Sequence, residues 1–236
     1  MSNSICGEIK KYNETINQPI VIFGTSGISK EVYTVINEIN SFFNRNVFDF
    51  MGYVAEDSTS ADINLPGGKV VCIDDDFQTY SQKYERIAAV IPLGSPVIKK
   101  RIRKRFENCT NVYYPNIISP SAKIMLQDRV WLGEGNIICS GVVATTDIRI
   151  GNFNLFNLNT TIGHDVNIGD FNVINPLSAI SGCVTVEDNI LIGAGVSIKE
   201  HTIINSNSTL GMGAIVCKNV DTETIVVSDR AKPLVK

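Results

Sequence analysis

Several features that would quickly assign a chain of 236 residues are missing from this one. No apolar run approaches the ~18 residues of a membrane span. The N-terminal stretch MSNSICGEIKKYNET has no secretory h-region. Both absences predict a soluble cytoplasmic protein. The net charge of -3 leaves no basic footprint, which argues against a nucleic-acid partner. The six cysteines (Cys6, Cys72, Cys109, Cys139, Cys183, Cys217) form no CxxC and no metal-ligand spacing, so reduced thiols and no metal are expected. Histidine is scarce, with only His164 and His201. What remains is an ordinary globular composition, 44% hydrophobic and 19% charged, able to bury a core in one large domain or two small ones.

The strongest positive feature is periodic. From Leu126 to Val216 every sixth residue is apolar, through Leu132, Ile138, Ala144, Ile150, Phe156, Ile162 and onward, without a slip. A strand repeats every two residues and a helix every 3.6, so neither alone gives a strict six. A short strand plus a corner does, and three such sides make an 18-residue triangular coil, stacked at ~4.8 Å. The spacing predicts about five coils without insertion, the sixth-residue column pointing at the axis. A second inward column of small or β-branched residues runs from Asn136 through Val142, Ile148, Asn154, Thr160, Val166 and Asn172 to Ala214. Glycine or asparagine often follows the large apolar residue, as at Gly133, Gly151, Gly163, Asn157 and Asn175, and is expected at the corners.

Residues 1–18 are polar, lack periodicity and read as an extension. Residues 19–110 alternate strands and helices, as a small α/β domain with a parallel sheet does. Pro19 to Phe23 is a buried strand, Gly24-Thr25-Ser26-Gly27 a glycine-rich turn, and Lys30 to Ile39 a helix. That order opens a nucleotide-binding βαβ unit or, since GxGxxG is absent, a plain βα turn. Glu56 and Asp57 follow the strand Val47 to Val54, where an acid either accepts a bond from a ribose or base or serves as a turn residue. Val70 to Ile73 is a third strand. Asp74-Asp75-Asp76 then begins a helix to about Tyr84, as capping residues in preference to metal ligands. Ile87 to Leu93 is a fourth strand, before Gly94 and a basic helix, Val97 to Phe106. Its Lys99, Lys100, Arg101, Arg103, Lys104 and Arg105 read as a solvated face ahead of a phosphate counter-charge. Cys109 to Asn116 leads into residues 111–236, which hold the repeat.

The hexapeptide period, the Gly-Thr-Ser-Gly turn, Ile162-Gly163-His164-Asp165 and Ile168-Gly169-Asp170-Phe171 together resemble a group of left-handed β-helix sugar acetyltransferases, the sialic acid O-acetyltransferase and bacillosamine N-acetyltransferase families. The resemblance covers roughly residues 19–233. It implies a Rossmann-like domain followed by a left-handed parallel β-helix, acetyl-CoA as co-substrate, a homotrimer, and a role in bacterial surface glycan synthesis. Coenzyme A would lie between subunits near Ala194 and Met212, with Lys218 offering phosphate charge. A nucleotide-linked amino sugar would touch Ser26, Gly27, Glu56, Asp57 and Gly94. The chain departs from the family pattern in three places. Val173 stands where a second histidine is frequent, Ile28 ends the usual Ser-Gly-His turn, and Ser228 to Lys232 replaces a Gly-x-Pro-Ala-Lys segment.

His164 lies two residues after an inward isoleucine, which places it at a corner or outer face, either as an exposed bystander or as a base. The adjoining Asp165 can fix the imidazole tautomer and raise its basicity. One 18-residue coil later stands Gly182, either a plain corner glycine or space beside the ring with an N–H for an oxyanion. Direct transfer follows, with His164 as base and no metal. Cys183 as a covalent nucleophile is disfavoured, and His201 has no assigned role. The expected activity is N-acetylation of a nucleotide-linked 4-amino-deoxy sugar. The alternatives are O-acetylation of a sialic acid-like sugar, or a non-catalytic β-helix binding trimer.

Overall fold

The computed structural model describes residues 3–60 and 64–229. A two-residue strand, β1 (Asn3–Ser4), leads into helix α1 (Ile5–Glu14). The α/β domain follows in the order β2 (Gln18–Phe23), α2 (Gly27–Phe42), β3 (Phe48–Ala55), β4 (Val70–Ile73), α3 (Phe77–Ser81), β5 (Ile87–Val90), α4 (Pro96–Arg105) and β6 (Val112–Tyr113). Strands β2 to β6 form a 5-stranded sheet ordered β4-β3-β2-β5-β6, with every pair parallel. The continuously apolar β5 is buried along its whole length, as a parallel strand covered on both faces must be. Helix α2 buries Val32, Val35, Ile36 and Ile39, the stripe that its spacing predicts. The three aspartates form a 3-10 turn before α3, and only Val112–Tyr113 of the segment Cys109 to Asn116 pairs as a strand.

The repeat forms a parallel β-helix of triangular section. Its first face carries inward Ile118, Ile138, Phe156, Ile174, Ile192, Leu210 and the half-buried Val226. The second carries Ile124, Ala144, Ile162, Ile180, Ile198 and Val216. The third carries Leu132, Ile150, Ile168, Val186 and Ile204. All but Val226 are at most 8% exposed and belong to one core cluster. The second inward column, Asn136 to Ala214, is buried throughout.

The structure corrects the sequence reading at four points. Leu126 is not inward but 48% exposed. Ile124 takes its place and pairs with Ala144, twenty residues on, whereas Leu132 pairs with Ile150, eighteen on. The first coil therefore holds two extra residues, in the turn Gln127–Arg129.

The corners also lie elsewhere than expected. From Leu132 to Leu210, positive φ recurs three residues after each inward residue, at Asp147, Phe153, Asn159, Asp165, Phe171, Leu177 and Cys183 among others. The glycines directly after the inward residue answer a different need, close stacking. A Cβ on Gly163 would stand 2.7 Å from the Gly182 nitrogen, and one on Gly193 would stand 2.5 Å from the Met212 nitrogen.

The N-terminal segment is built into the fold rather than appended to it. Residues Asn3–Ser4 pair antiparallel with Leu132 and Trp131, and Ile5 is fully buried in the β-helix core. Tyr12 Oη donates to Asn116 O at 2.7 Å and accepts from Ile118 N at 3.0 Å. Solenoids need such atypical terminal elements to cover the end of the core.

Finally, the basic helix α4 is not wholly solvated. Lys99 is 1% exposed and donates from Nζ to Phe153 O at 3.0 Å. Arg103 lies over the Tyr114 and Phe153 rings and pairs with Glu134. Burial lowers the Lys99 ammonium to about 7.

The two domains meet on the first face and on the corner between the third and first faces. On the first face the outward residues Ile117, Ile137, Leu155 and Val173 are buried against the α2 stripe. Full burial of such a side chain contributes about 1.5–3 kcal/mol. Val173 thus packs in the domain junction, and Ile28 is packed at its margin. The adjoining corner is stapled by an asparagine ladder. Asn116 Oδ1 accepts from Asn136 N, Asn136 Oδ1 from Asn154 N, and Asn154 Oδ1 from Asn172 N, each at 2.9 Å.

Candidate active site

His164 and Asp165 stand at the corner after the second face. Inward Ile162 anchors the strand, Gly163 allows the next coil to close over it, and the chain then turns through Asp165 at φ 58. Aspartate is among the few residues that adopt this conformation readily. Its N–H donates to Thr146 O at 3.2 Å, one coil earlier. The turn brings Asp165 Oδ2 to 2.8 Å from His164 Nδ1. In the tautomer this carboxylate favours, Nδ1 carries the proton and Nε2 the lone pair. Both side chains are open to solvent, at 62% and 61% exposure.

Gly182 lies against the imidazole, as the eighteen-residue spacing predicts. A Cβ there would come within 2.6 Å of Nε2 and 2.7 Å of Cε1, so any larger residue would displace the ring. Its carbonyl accepts from His201 N at 3.2 Å, and Cys183 N donates to His164 O at 2.8 Å. No acceptor among the described residues takes the Gly182 N–H. The pair and this glycine therefore form an exposed base beside an unused backbone donor.

Two neighbours share this corner: Asp147, which the sequence reading did not single out, and Cys183, which it set aside as a nucleophile. Asp147 occupies the same corner one coil before Asp165 and is bound by Arg129 and by Thr146 Oγ1. The hydrogen bond from Arg129 and then that from Thr146 hold the Asp147 carboxyl below the usual range. The signal was available, because Asp147 precedes Asp165 by one coil length. Cys183, one coil after Asp165, brings its Sγ within 4.8 Å of ligand atoms on His164 and Asp165. Among the described residues this is the group whose spacing suits a cation, and the three aspartates Asp74 to Asp76 are not part of it.

Of the coenzyme positions, Lys218 shares an edge with His164. It lies two residues past Val216, on the stacked strands of Ile162, Ile180 and Ile198. That is three coils on, about 14 Å along the axis. Ala194 and Met212 follow inward residues of the first face and sit at a different corner, so one protomer does not bring them to His164. Met212 is 75% exposed. Within the segment Ser228 to Lys232, Ser228 Oγ donates to Met212 O, while Arg230, Ala231 and Lys232 lie outside the described residues.

The predicted sugar-nucleotide residues gather at the carboxyl edge of the sheet. Ser26 and Gly27 follow β2, Glu56 and Asp57 follow β3, and Gly94 follows β5. Strands β2 and β5 are adjacent, and their helices leave in opposite senses, which makes this the switch point where ligands of open α/β sheets bind. Ser26 caps α2 without a side-chain bond, and a Cβ on Gly27 or Gly94 would meet nothing within 4 Å. Asp57 Oδ1 accepts from Thr59 N at 2.9 Å. Asp74 stands at the same edge, buried in the 3-10 turn, and contrary to the expected capping role neither helix start there has a side-chain cap bond, Asp76 preceding α3 without one. Burial raises its carboxyl to about 6, with nearby Arg105 opposing the shift.

An α/β domain followed by a parallel β-helix is the architecture of the hexapeptide-repeat sugar acetyltransferases that the sequence resembles. No family model matches the chain, and no curated protein matches it in sequence. Solved structures match closely in fold. PerB of Caulobacter crescentus, a perosamine N-acetyltransferase solved with CoA and GDP-perosamine, has a TM-score of 0.79 and 21% identity, over 89% of this chain and 94% of its own. The acetyltransferase domain of PglB from Neisseria gonorrhoeae, solved with acetyl coenzyme A, has a TM-score of 0.76 and 20% identity, over 92% of this chain and 100% of its own. WeeI from Acinetobacter baumannii has a TM-score of 0.77 and 28% identity over the same shares, 92% and 100%. These likenesses establish the expected fold, an α/β domain followed by a left-handed β-helix. No helix among the described residues is long and apolar enough to cross a membrane.

Proposed function

We propose that this chain is an acetyl-CoA-dependent N-acetyltransferase acting on a nucleotide-linked amino sugar, of the 4-amino-deoxy type, with His164 as general base. The observation that carries the reading is the His164–Asp165 bond at 2.8 Å with the imidazole pressed on Gly182. His164 Nε2 accepts a proton from the attacking amine as the amine nitrogen bonds to the acetyl carbonyl carbon. The Gly182 N–H donates to the oxygen that becomes negative. The carbon–sulfur bond then breaks, and the proton on Nε2 passes to the departing thiolate. Asp165 holds the imidazole in the accepting tautomer and stabilises the imidazolium. The residues present fit acetyl-CoA, because the acetyl end has an unused donor at Gly182 and Lys218 offers a cation further along the same edge. Ala194 and Met212, at another corner, would contribute from a neighbouring protomer of a homotrimer.

The carboxyl edge with Ser26, Gly27, Glu56, Asp57 and Gly94 supports a nucleotide handle on the sugar. PerB, of like fold, was solved with GDP-perosamine. This supports the N-acetyl reading over O-acetylation of a sialic acid, which has no nucleoside diphosphate to fill that edge. A cytoplasmic location belongs to the same reading, because nucleotide sugars are made there. The test measures CoA release from acetyl-CoA with nucleotide 4-amino-6-deoxy sugars and with free sialic acids, for wild type and His164→Ala. Turnover with the nucleotide amino sugars, lost in the variant, is expected. Turnover only with sialic acids would replace the acceptor. No turnover with any acceptor, or an unaltered rate in the variant, would overturn the enzyme reading in favour of a binding trimer.

A further inference from the structure

The corner that carries His164 also carries the ligands for a soft cation. The β-helix register stacks Cys183 on Asp165, one coil apart, and His164 adjoins both. Their ligand atoms all lie within 4.8 Å of one another. Three donor types, a thiol, an imidazole and a carboxylate, meet on one solvent-facing edge. That donor set selects thiophilic divalent cations, above all Zn²⁺, over Mg²⁺ or Ca²⁺. Zinc binds sulfur at about 2.3 Å and nitrogen or oxygen at about 2.0–2.2 Å. Nδ1 and Oδ2 are already 2.8 Å apart. Closing the triangle needs side-chain rotation only, and His164 and Asp165, more than half exposed, are free to rotate.

We propose that His164 Nδ1, Asp165 and Cys183 bind a Zn²⁺-class cation, with water in the fourth position, and that binding switches the site off. The cation takes the Nδ1 lone pair in the tautomer that carries its single N–H on Nε2, and the proton on Cys183 Sγ is released to solvent. The one imidazole proton has thus moved from Nδ1 to Nε2, so the lone pair needed to accept a proton from substrate is gone. Asp165 is at the same time drawn from its role of orienting the ring. The inhibitory part rests on the acetyltransferase reading, whereas the cation site does not.

The experiment separates the two. Titrate the full chain with Co²⁺ and follow the thiolate-to-cobalt charge-transfer band, then displace it with Zn²⁺, for wild type, Cys183→Ser, His164→Ala and Cys217→Ser. Cys217 is the exposed cysteine and serves as the control. The expected result is one equivalent of cobalt with the thiolate band in wild type and Cys217→Ser. Cys183→Ser should lose the band, and His164→Ala should bind at least ~10-fold more weakly. A band that survives Cys183→Ser, an affinity unaltered by His164→Ala, or no band in wild type overturns the site. In parallel, Zn²⁺ should inhibit acetyl transfer by wild type, each rate taken relative to its own metal-free value, and should lose that effect in Cys183→Ser. Inhibition that persists in Cys183→Ser overturns the switch. Absence of acetyl transfer with intact cobalt binding overturns the proposed function and leaves the cation site standing.

Discussion

Two corners of the same β-helix have nearly identical backbone and opposite duties. After the second face the positive-φ positions hold Asp147, Asp165, Cys183 and His201, and after the third face they hold Gly135, Phe153, Phe171, Asn189 and Asn207. The first set is wet, and His164 beside it is 62% exposed. The second set is clamped. Phe153 and Phe171 stack at 5.2 Å, Lys99 reaches the Phe153 carbonyl, and the asparagine ladder runs alongside. The coil geometry supplies equivalent places, and side chains alone decide whether a place does chemistry or holds domains together. A solenoid can thus alter its reactive corner with little cost to its fold, but not its docking corner.

The largest effect that would test this division is on rate. His164→Ala should lower kcat for acetyl transfer by about 10²–10⁴, the range for loss of a general base. Its urea midpoint should stay at the wild-type value, and a fall would show that the reactive corner carries structural load. Gly182→Ala should come next, with kcat reduced at least ~10-fold, because its Cβ would force Nε2 from a 2.6 Å approach. Circular dichroism and urea melts would separate a displaced ring from a disrupted coil.

At the docking corner the signature should reverse. Asn154→Ala leaves the Asn172 N–H and the Gly169 carbonyl without their partner and should cost about 2–4 kcal/mol in urea unfolding, with kcat little altered. Lys99 gives a pH test. Its folded value is depressed to about 7 from an ordinary 10.5, so between these the unfolded state binds more protons. Its contribution is therefore greatest above about 10.5, declines as pH falls, and is lowest below about 7. Wild-type stability minus that of Lys99→Met should rise over that window by a few kcal/mol. A flat difference would mean that the ammonium stays charged in place. The smallest effect is expected from Tyr12→Phe, about 1 kcal/mol at the covered end of the β-helix, read from the urea midpoint.

The period of six was enough to locate almost every inward residue and to set Gly182 beside His164. It succeeded because parallel stacking admits no local freedom: each strand's register is inherited from the coil before. It failed at Leu126, where two extra residues kept the apolar phase while Ile124 took the inward place. The corners were misjudged because glycine after the inward residue was read as a conformational need, when the need is room for the next coil. Composition hid Lys99, since nothing in a run of six basic residues marks the one that will be buried. The docking face was legible and overlooked. Paired apolar residues, Ile117-Ile118, Ile137-Ile138, Leu155-Phe156 and Val173-Ile174, recur at one side of each coil. On the second face the partner of the inward residue is more often polar, as in Thr161-Ile162 and Ser197-Ile198. In the α/β domain, boundaries drifted by up to three residues, as at Lys30–Ile39 against Gly27–Phe42 and Ile87–Leu93 against Ile87–Val90, because element ends there are set by tertiary packing.

The N-terminal segment has a consequence for assembly. A stack of parallel strands ends in a row of unpaired amides, a template on which another copy could add and grow a fibre. Here the row is interrupted twice. On the third face Asn3–Ser4 runs antiparallel to Leu132, the wrong sense for a further coil. On the first face the Tyr12 hydroxyl occupies both the Ile118 N–H and the Asn116 carbonyl. One phenol and a reversed dipeptide thus close two of the three faces at this end of the β-helix to the addition of another copy.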